Sequence, residues 1–178
     1  SRDGFRVLAL AYRDFEPRET YAKDDETELV LAGYLAFLDP PKESAAAAIA
    51  ALTTHGIAVK ILTGDNDLVS RKICQVVGVS TESVLLGSQV ERMTDAELGE
   101  AAERTTLFAR MTPGHKQRVI EVLQARKHVV GFLGDGINDS PALRVSDVGI
   151  SIDTAVDIAK EAADIILLEK SLLVVEDG

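Results

Sequence analysis

The sequence predicts an α/β fold: a parallel sheet with flanking helices, built from stacked βα units. Two observations predict it. Short β-branched runs alternate with amphipathic helical stretches along most of the chain, and several runs end at breaks such as Asp39-Pro40-Pro41, Thr63-Gly64-Asp65-Asn66 and Gly134-Asp135-Gly136. Aromatic residues make up only 4% of the 178 residues, so the core is expected to be aliphatic. That length suffices for one globular domain with a sizeable core, or for one domain plus a fragment of another.

In chain order, Phe5 to Tyr12 reads as a strand and Arg13 to Glu28, charged and without apolar periodicity, as a linker or hinge. The first segment is then the tail of a neighbouring domain. Val30 to Leu38 reads as a strand ending at Asp39-Pro40-Pro41, where the prolines forbid extension and suit the first turn of a helix. That helix runs to about Thr54 and stops at Gly56. Ile57 to Leu62 is a buried strand, broken by Thr63-Gly64-Asp65-Asn66 before a helix ending at Gly78. Ser83 to Leu86 is a short edge strand. Thr94 with Glu97 forms a capping box that opens a polar helix through about Glu103.

Leu107 to Ala109 follows as a strand, and Thr112-Pro113 opens a helix to about Arg126, with threonine as cap and proline at the first helical position. Val129 to Leu133 is the strand before the run Gly134-Asp135-Gly136-Ile137-Asn138-Asp139, and Ser140-Pro141 begins a short helix. Val148 to Ile152 and Ile165 to Leu168 are strands flanking a helix around Ala155 to Ala163.

Charge and apolar content exclude several functions. With 19 Lys and Arg against 29 Asp and Glu, the net charge of −10 disfavours a nucleic-acid partner or an anionic membrane surface. The longest apolar run, Ala45 to Leu52, is far short of the roughly 18 residues of a membrane-spanning helix. The chain is therefore expected to be soluble. The single cysteine, Cys74, cannot form an internal disulfide, and the amino end lacks the order of a secretion signal, so a reducing cytosolic setting is expected.

In an open parallel sheet the ligand crevice lies beyond the carboxyl ends of the strands. Chain order brings Asp39, Thr63, Gly64, Asp65, Arg110, Gly134, Asp135, Asn138 and Asp139 to that edge. Asp135 and Asp139 on one glycine-rich turn suit Mg²⁺, because nearby carboxylates need a neutralising cation and Mg²⁺ takes hard oxygen ligands. An ordinary polar turn with a helix-capping acid accounts for the same residues. Thr63 and Gly64 offer a hydroxyl and backbone amides to a phosphate oxygen, or simply a turn and a cap. Lys116 lies in the first turn of its helix, where the helix dipole disfavours a cation, so an anionic partner would explain it as well as a solvated surface would. Together these residues form a kit for phosphoryl transfer with charge clamps, a hydroxyl and a Mg²⁺ site. The kit has no nucleophile. Cys74 reads as a core residue, His55 and His128 as structural or exposed, and His115 adjoins Lys116.

Four ordered segments resemble the P-type cation-transporting ATPases, a branch of the haloacid dehalogenase-like superfamily. They are Leu38-Asp39-Pro40-Pro41-Lys42, Leu62-Thr63-Gly64-Asp65-Asn66, Phe108-Ala109-Arg110 followed by Pro113-Gly114-His115-Lys116, and Gly134-Asp135-Gly136-Ile137-Asn138-Asp139-Ser140-Pro141-Ala142-Leu143. Gly149 to Leu173 looks most like the magnesium-transporting members. The resemblance implies a Rossmann-like haloacid dehalogenase-type sheet, with Mg²⁺ and ATP as cofactors. It implies that Asp135 ligates Mg²⁺, with Asp139 contributing to the metal and orienting Lys116. Thr63 and Asn138 would bond phosphoryl oxygens and Lys116 would neutralise them. Asp39, Asp65 and Arg110 match positions near the nucleotide and the interdomain hinge, and Gly64 lies in the same nucleotide-side loop.

The resemblance divides the chain into residues 1–12, the tail of a nucleotide-binding domain; 13–29, a hinge; and 30–178, the carboxyl-terminal part of a phosphorylation domain. In the family an aspartyl phosphate forms on a separate Asp-Lys-Thr-Gly-Thr segment and then hydrolyses, driving ions through membrane helices. This sequence contains neither that segment nor a Thr-Gly-Glu-Ser motif. A piece of a pump is therefore expected, inactive alone, its parent in the cell membrane with this domain on the cytoplasmic side. Its partners would be the nucleophile segment, the nucleotide-binding and actuator domains and the membrane helices. A sheet lacking the nucleophile strand exposes strand edges, which predicts a rearranged sheet or an exchanged element in a dimer. Other readings are a stand-alone phosphatase of the same superfamily, a receiver-type phosphoacceptor domain, and a non-catalytic Mg²⁺ or nucleotide-binding module.

Overall fold

The structure, a computed structural model, describes residues 5–17, 19–37, 41 and 44–169. Its first two strands, β1 (Arg6–Tyr12) and β2 (Val30–Phe37), pair antiparallel with each other from Arg6↔Phe37 to Tyr12↔Val30. The register slips between Leu10↔Gly33 and Ala11↔Leu31, leaving Ala32 as the extra residue of a bulge. Val30–Phe37 is thus a strand as expected, but it lies in a two-stranded ribbon, not in a parallel sheet. Antiparallel pairing needs no helical crossover, so the charged segment 13–29 joins the two strands. Within it, the Arg13 guanidinium donates to Thr27 O and Oγ1 and stacks over the Phe15 ring.

The remaining elements follow the expected order with two differences: a short helix over Gly87–Val90 was not expected, and the first helix starts at Ala45, so that Pro41 lies before it and not in its first turn. The elements are α1 (Ala45–Thr54), β3 (Ile61–Leu62), α2 (Asp67–Val76), β4 (Val84–Leu86), α3 (Gly87–Val90), α4 (Asp95–Arg104), β5 (Leu107–Ala109), α5 (Pro113–Ala125), β6 (Gly131–Leu133), α6 (Ser140–Val145), β7 (Val148–Ile152), α7 (Asp157–Ala162) and β8 (Ile165–Leu167). Local chemistry sets their ends. Asn66 caps α2 by accepting from Val69 N–H, Thr94 caps α4 in a full capping box, and Thr112 caps α5 by accepting from His115 N–H. Gly56 and Gly78 follow α1 and α2 with φ of 79° and 77°, left-handed values that a side chain resists.

The parallel strands form two sheets, ordered β3-β5-β4 and β6-β7-β8. The buried strand expected over Ile57 to Leu62 is confined to Ile61–Leu62, both half-buried, while Ile57 is exposed and the Lys60 side chain turns to α4. Its ammonium donates to Ala102 O, Glu103 O and Thr105 O at 2.7, 3.1 and 2.8 Å, satisfying carbonyls at the helix end. Burial lowers the pKa of this ammonium, with Glu103 acting in the opposite direction.

Helix α5 joins the two halves. Its Val119, Val122 and Leu123 pack with Phe108, Leu98 and Val90 around the first sheet, while Ile120 packs with Phe132, Leu143 and Ala159 around the second. Leu62 and Val130 pack against both clusters. The core is aliphatic as expected, with Phe108 fully buried at its centre. No helix among the described residues is long and apolar enough to cross a membrane.

Candidate functional site

Between the ends of β3 and β6 lies a cleft of about 250 Å³, lined by Leu62, Lys116, Phe132, Leu133, Gly134, Asp135, Asp139 and Ile152. Helix α5 delivers Lys116 one turn in from its Thr112 cap, with Lys116 N–H donating to Thr112 O. The short 3₁₀ turn Ile137–Asp139 delivers Asp139 from the opposite wall. Lys116 Nζ and Asp139 Oδ1 meet at 2.6 Å, their side chains only 12% and 14% exposed. The other carboxylate oxygen, Oδ2, accepts from Gly136 N–H at 3.1 Å. The acid therefore neutralises the lysine that the helix dipole disfavours and also closes its own loop.

Gly134 is required for this closure. A Cβ there would come within 2.6 Å of Asp139 Cβ and 3.0 Å of a Phe132 ring carbon. Asp135, by contrast, is exposed at the cleft edge. Asp135 is thus the carboxylate open to a ligand, whereas Asp139 already serves Lys116 and Gly136. Among the described residues no group of three or more His, Cys, Asp or Glu could hold a metal. One open carboxylate with water and a phosphate oxygen suits Mg²⁺, which keeps much of its hydration, better than an ion that demands a full protein cage.

A second group stands at the end of β3 and β5. Thr63 N–H donates to Phe108 O, Thr63 O accepts from Met111 N–H, and Thr63 Oγ1 accepts from Asp65 N–H at 3.1 Å. Asp65 O accepts from Arg110 N–H at 2.8 Å. Arg110 takes a left-handed φ of 55°, uncommon for a residue with a side chain. Its Nε and Nη2 both donate to Asp67 Oδ1, at 3.3 and 3.2 Å. Gly64 is exposed, and a Cβ there would make only ordinary contact, 3.5 Å from Met111 O. Its neighbours therefore impose no steric demand for glycine.

The structure thus gathers Lys116, Asp135 and Asp139 in the cleft, with the exposed Asn138 on the same turn. Thr63, Gly64, Asp65 and Arg110 form the adjoining group, linked to the cleft through Leu62. Asp39 lies outside the described residues. Sequence reasoning missed Asp67 and Ser151. Asp67 is the first residue of α2, directly after the Asn66 cap, and nothing local to it signals the contact with Arg110. Ser151 was the polar residue within an aliphatic strand run, and its fully buried hydroxyl donates to Gly134 O at 2.9 Å.

The profile of the haloacid dehalogenase-like hydrolases matches residues 3–147. Among curated proteins, the magnesium-transporting ATPase, P-type 1, of Escherichia coli K12 is 58% identical over 179 positions, covering 100% of this chain and 20% of that protein. Its counterpart from Salmonella typhimurium LT2 is 57% identical with the same coverage. Calcium-transporting ATPase 1 of Yarrowia lipolytica is 37% identical, again over 100% of this chain and 20% of its own length. The chain spans about a fifth of the length of these relatives. The likeness announced by the four motifs extends over the whole chain and is stronger toward the magnesium-transporting proteins than toward this calcium-transporting one.

Proposed function

The chain belongs to the haloacid dehalogenase-like hydrolase family, and on that premise we propose that it is the phosphorylation-domain part of a P-type ATPase that couples ATP hydrolysis to Mg²⁺ transport. The observation that carries the reading is the shielded Lys116–Asp139 pair, which lines one cleft together with Asp135. Bound at Asp135 with water, Mg²⁺ would neutralise phosphoryl charge. Lys116, held by Asp139, adds a fixed positive charge without reorganisation at the moment of reaction. Thr63 Oγ1 and the Asn138 amide would donate to phosphoryl oxygens. Asp39, Gly64, Asp65 and Arg110 are assigned to the nucleotide side, and Asp139 acts on the metal mainly through the loop it closes.

The nucleophile is assigned to a segment not contained in this sequence, and the orientation of backbone groups at two strand edges supports a place for it between β3 and β6. Ile61 and Thr63 direct their amides to β5, so the backbone groups of Leu62 point to the opposite edge of β3. Val130 and Gly134 bond to β7, so Gly131 and Leu133 point to the edge of β6 that no strand among the described residues pairs with. A strand between β3 and β6 would satisfy both edges and bring its side chains to Asp135 and Lys116. Without it, the edges are available to a second copy, and light scattering across concentration tests this: a constant monomer mass counts against the exchanged dimer.

Strand pairing supports a division of the chain. The β1–β2 ribbon has Leu8, Leu10, Tyr34 and Leu35 each more than half exposed. We assign the whole ribbon, through Phe37 and not merely through Tyr12, to the nucleotide-binding domain, whose remainder would cover it. Helix α1 onward is the phosphorylation-domain part. The parent is placed in the cell membrane with this part on the cytoplasmic side, working with the nucleotide-binding and actuator domains and the membrane helices.

The direct test of the site is Mg²⁺ titration of the wild-type chain against Asp135→Asn. Weakened binding in the variant is expected, and equal affinity removes Asp135 from the metal site. The isolated chain is expected not to form a phosphoenzyme; acid-stable label from γ-labelled ATP would overturn that.

A further inference from the structure

We infer that Ser151 is a positioning residue for Asp135. Ser151 lies in β7, the central strand of its sheet, and is 0% exposed among aliphatic neighbours. A buried hydroxyl is costly unless bonded, and a valine or alanine would fill such a strand position without that cost. The hydroxyl donates to Gly134 O at 2.9 Å, in the peptide unit that joins Gly134 to Asp135. The next peptide unit is held too, because Asp135 O accepts from Val156 N–H at 3.3 Å. Gly134 N–H is fixed to Ile150 O at 3.0 Å.

Holding both peptide planes around one Cα fixes its φ and ψ, and with them the direction of Cα–Cβ. The backbone of Asp135 is therefore set from the sheet interior while its carboxylate stays exposed at the cleft edge. Of these restraints, the Ser151 hydroxyl alone is a side chain and can be removed without altering a backbone.

This inference rests on the reading that Asp135 ligates Mg²⁺. The test is titration of the 178-residue chain with Mg²⁺ alone, followed by amide chemical shifts of residues 135–139, with unfolding measured in parallel. Ser151→Ala is expected to weaken Mg²⁺ about tenfold, the scale of losing a group that orients a metal ligand. Thr105→Val is the structural control. It removes another buried hydroxyl, which donates to Ala101 O at 2.8 Å away from the cleft, and it should leave Mg²⁺ affinity unchanged. Unchanged affinity in Ser151→Ala alongside a loss in Asp135→Asn overturns the positioning role and leaves the metal reading standing. An equal loss in Thr105→Val also overturns it. If Asp135→Asn itself binds as wild type, the metal reading fails and takes the inference with it. Should Ser151→Ala not fold, Ser151→Cys keeps the size and only a weak donor; reduced affinity supports the role and wild-type affinity overturns it.

Discussion

Two ion pairs stand at the strand ends of this molecule, and their difference lies in burial. Lys116–Asp139 is 2.6 Å long with side chains 12% and 14% exposed, whereas Arg110–Asp67 is 3.2 Å long with 60% and 29% exposed. Each joins a residue in or next to a helical first turn to one on a different element. Burial decides what each can do. Water screens the arginine pair and leaves it free to exchange partners, while the lysine pair is committed, and losing either member strands a charge. The first is suited to meeting a ligand at a rim, the second to holding a fixed charge in a cleft.

The comparison breaks most severely at Asp139. Asp139→Ala should cost about 3 kcal/mol in urea unfolding, because it removes the partner of the shielded Lys116 side chain. Gly134→Ala attacks the same pair sterically, through the 2.6 Å approach to Asp139 Cβ, and should cost about 2 kcal/mol in the same measurement. Thr112→Ala removes the cap of the helix that carries Lys116 and should cost about 1 kcal/mol in thermal or urea unfolding. Asp67→Asn, at the rim, should change stability by less than about 1 kcal/mol, and that small effect should fade with added salt. A loss at Asp67 as large as that at Asp139 would abolish the distinction.

A third group sharpens it through pH. Glu103 receives both Arg126 Nε and Nη2, at 2.7 and 2.8 Å, and lies 2.9 Å from His128 Nε2. These bonds, Arg126 first, hold its carboxyl down to about 2 from the ordinary 4.5. A depressed folded-state pKa stabilises the fold above the unfolded-state value, and that contribution is lost as pH falls from about 4.5 toward 2. Acid unfolding of Glu103→Gln should show a shallower pH dependence across that window. The effect is expected to be the smallest of the set, since the cluster is solvent-exposed.

Local chemistry was legible wherever one residue acts on its chain neighbours. Thr94 with Glu97, Thr112 with Pro113, and Gly56 and Gly78 marked helix ends that the structure reproduces, because caps and left-handed turns are decided within a few residues. The order of strands and helices from β3 to β8 was readable for the same reason, as apolar runs between turn residues. The parallel pairing was inferred from that alternation and is present in both larger sheets. The glycine-rich run before Ser140 also stood out, because turn chemistry and acidic ligands leave a dense signal in a short stretch.

Pairing across long separations was not legible. Val30–Phe37 has the same apolar composition whether it enters a parallel sheet or pairs with Arg6–Tyr12, and the side-chain period of two is common to both arrangements. Asp67 and Ser151 each looked local, an acid at a helix start and a hydroxyl in a strand. Their partners, Arg110 and Gly134, come from other elements. The same holds for Lys116, whose place in the first turn was visible but whose partner lies 23 residues further on. Sequence alone was enough for the α/β class, the helix ends and the strand-end loops whose polar residues line the cleft, since each depends on short-range periodicity or turn chemistry. Which acid is shielded, which stays open, and what holds the open one in place depend on packing between β6, β7 and α5, where distances of a few ångströms set both desolvation and hydrogen bonding.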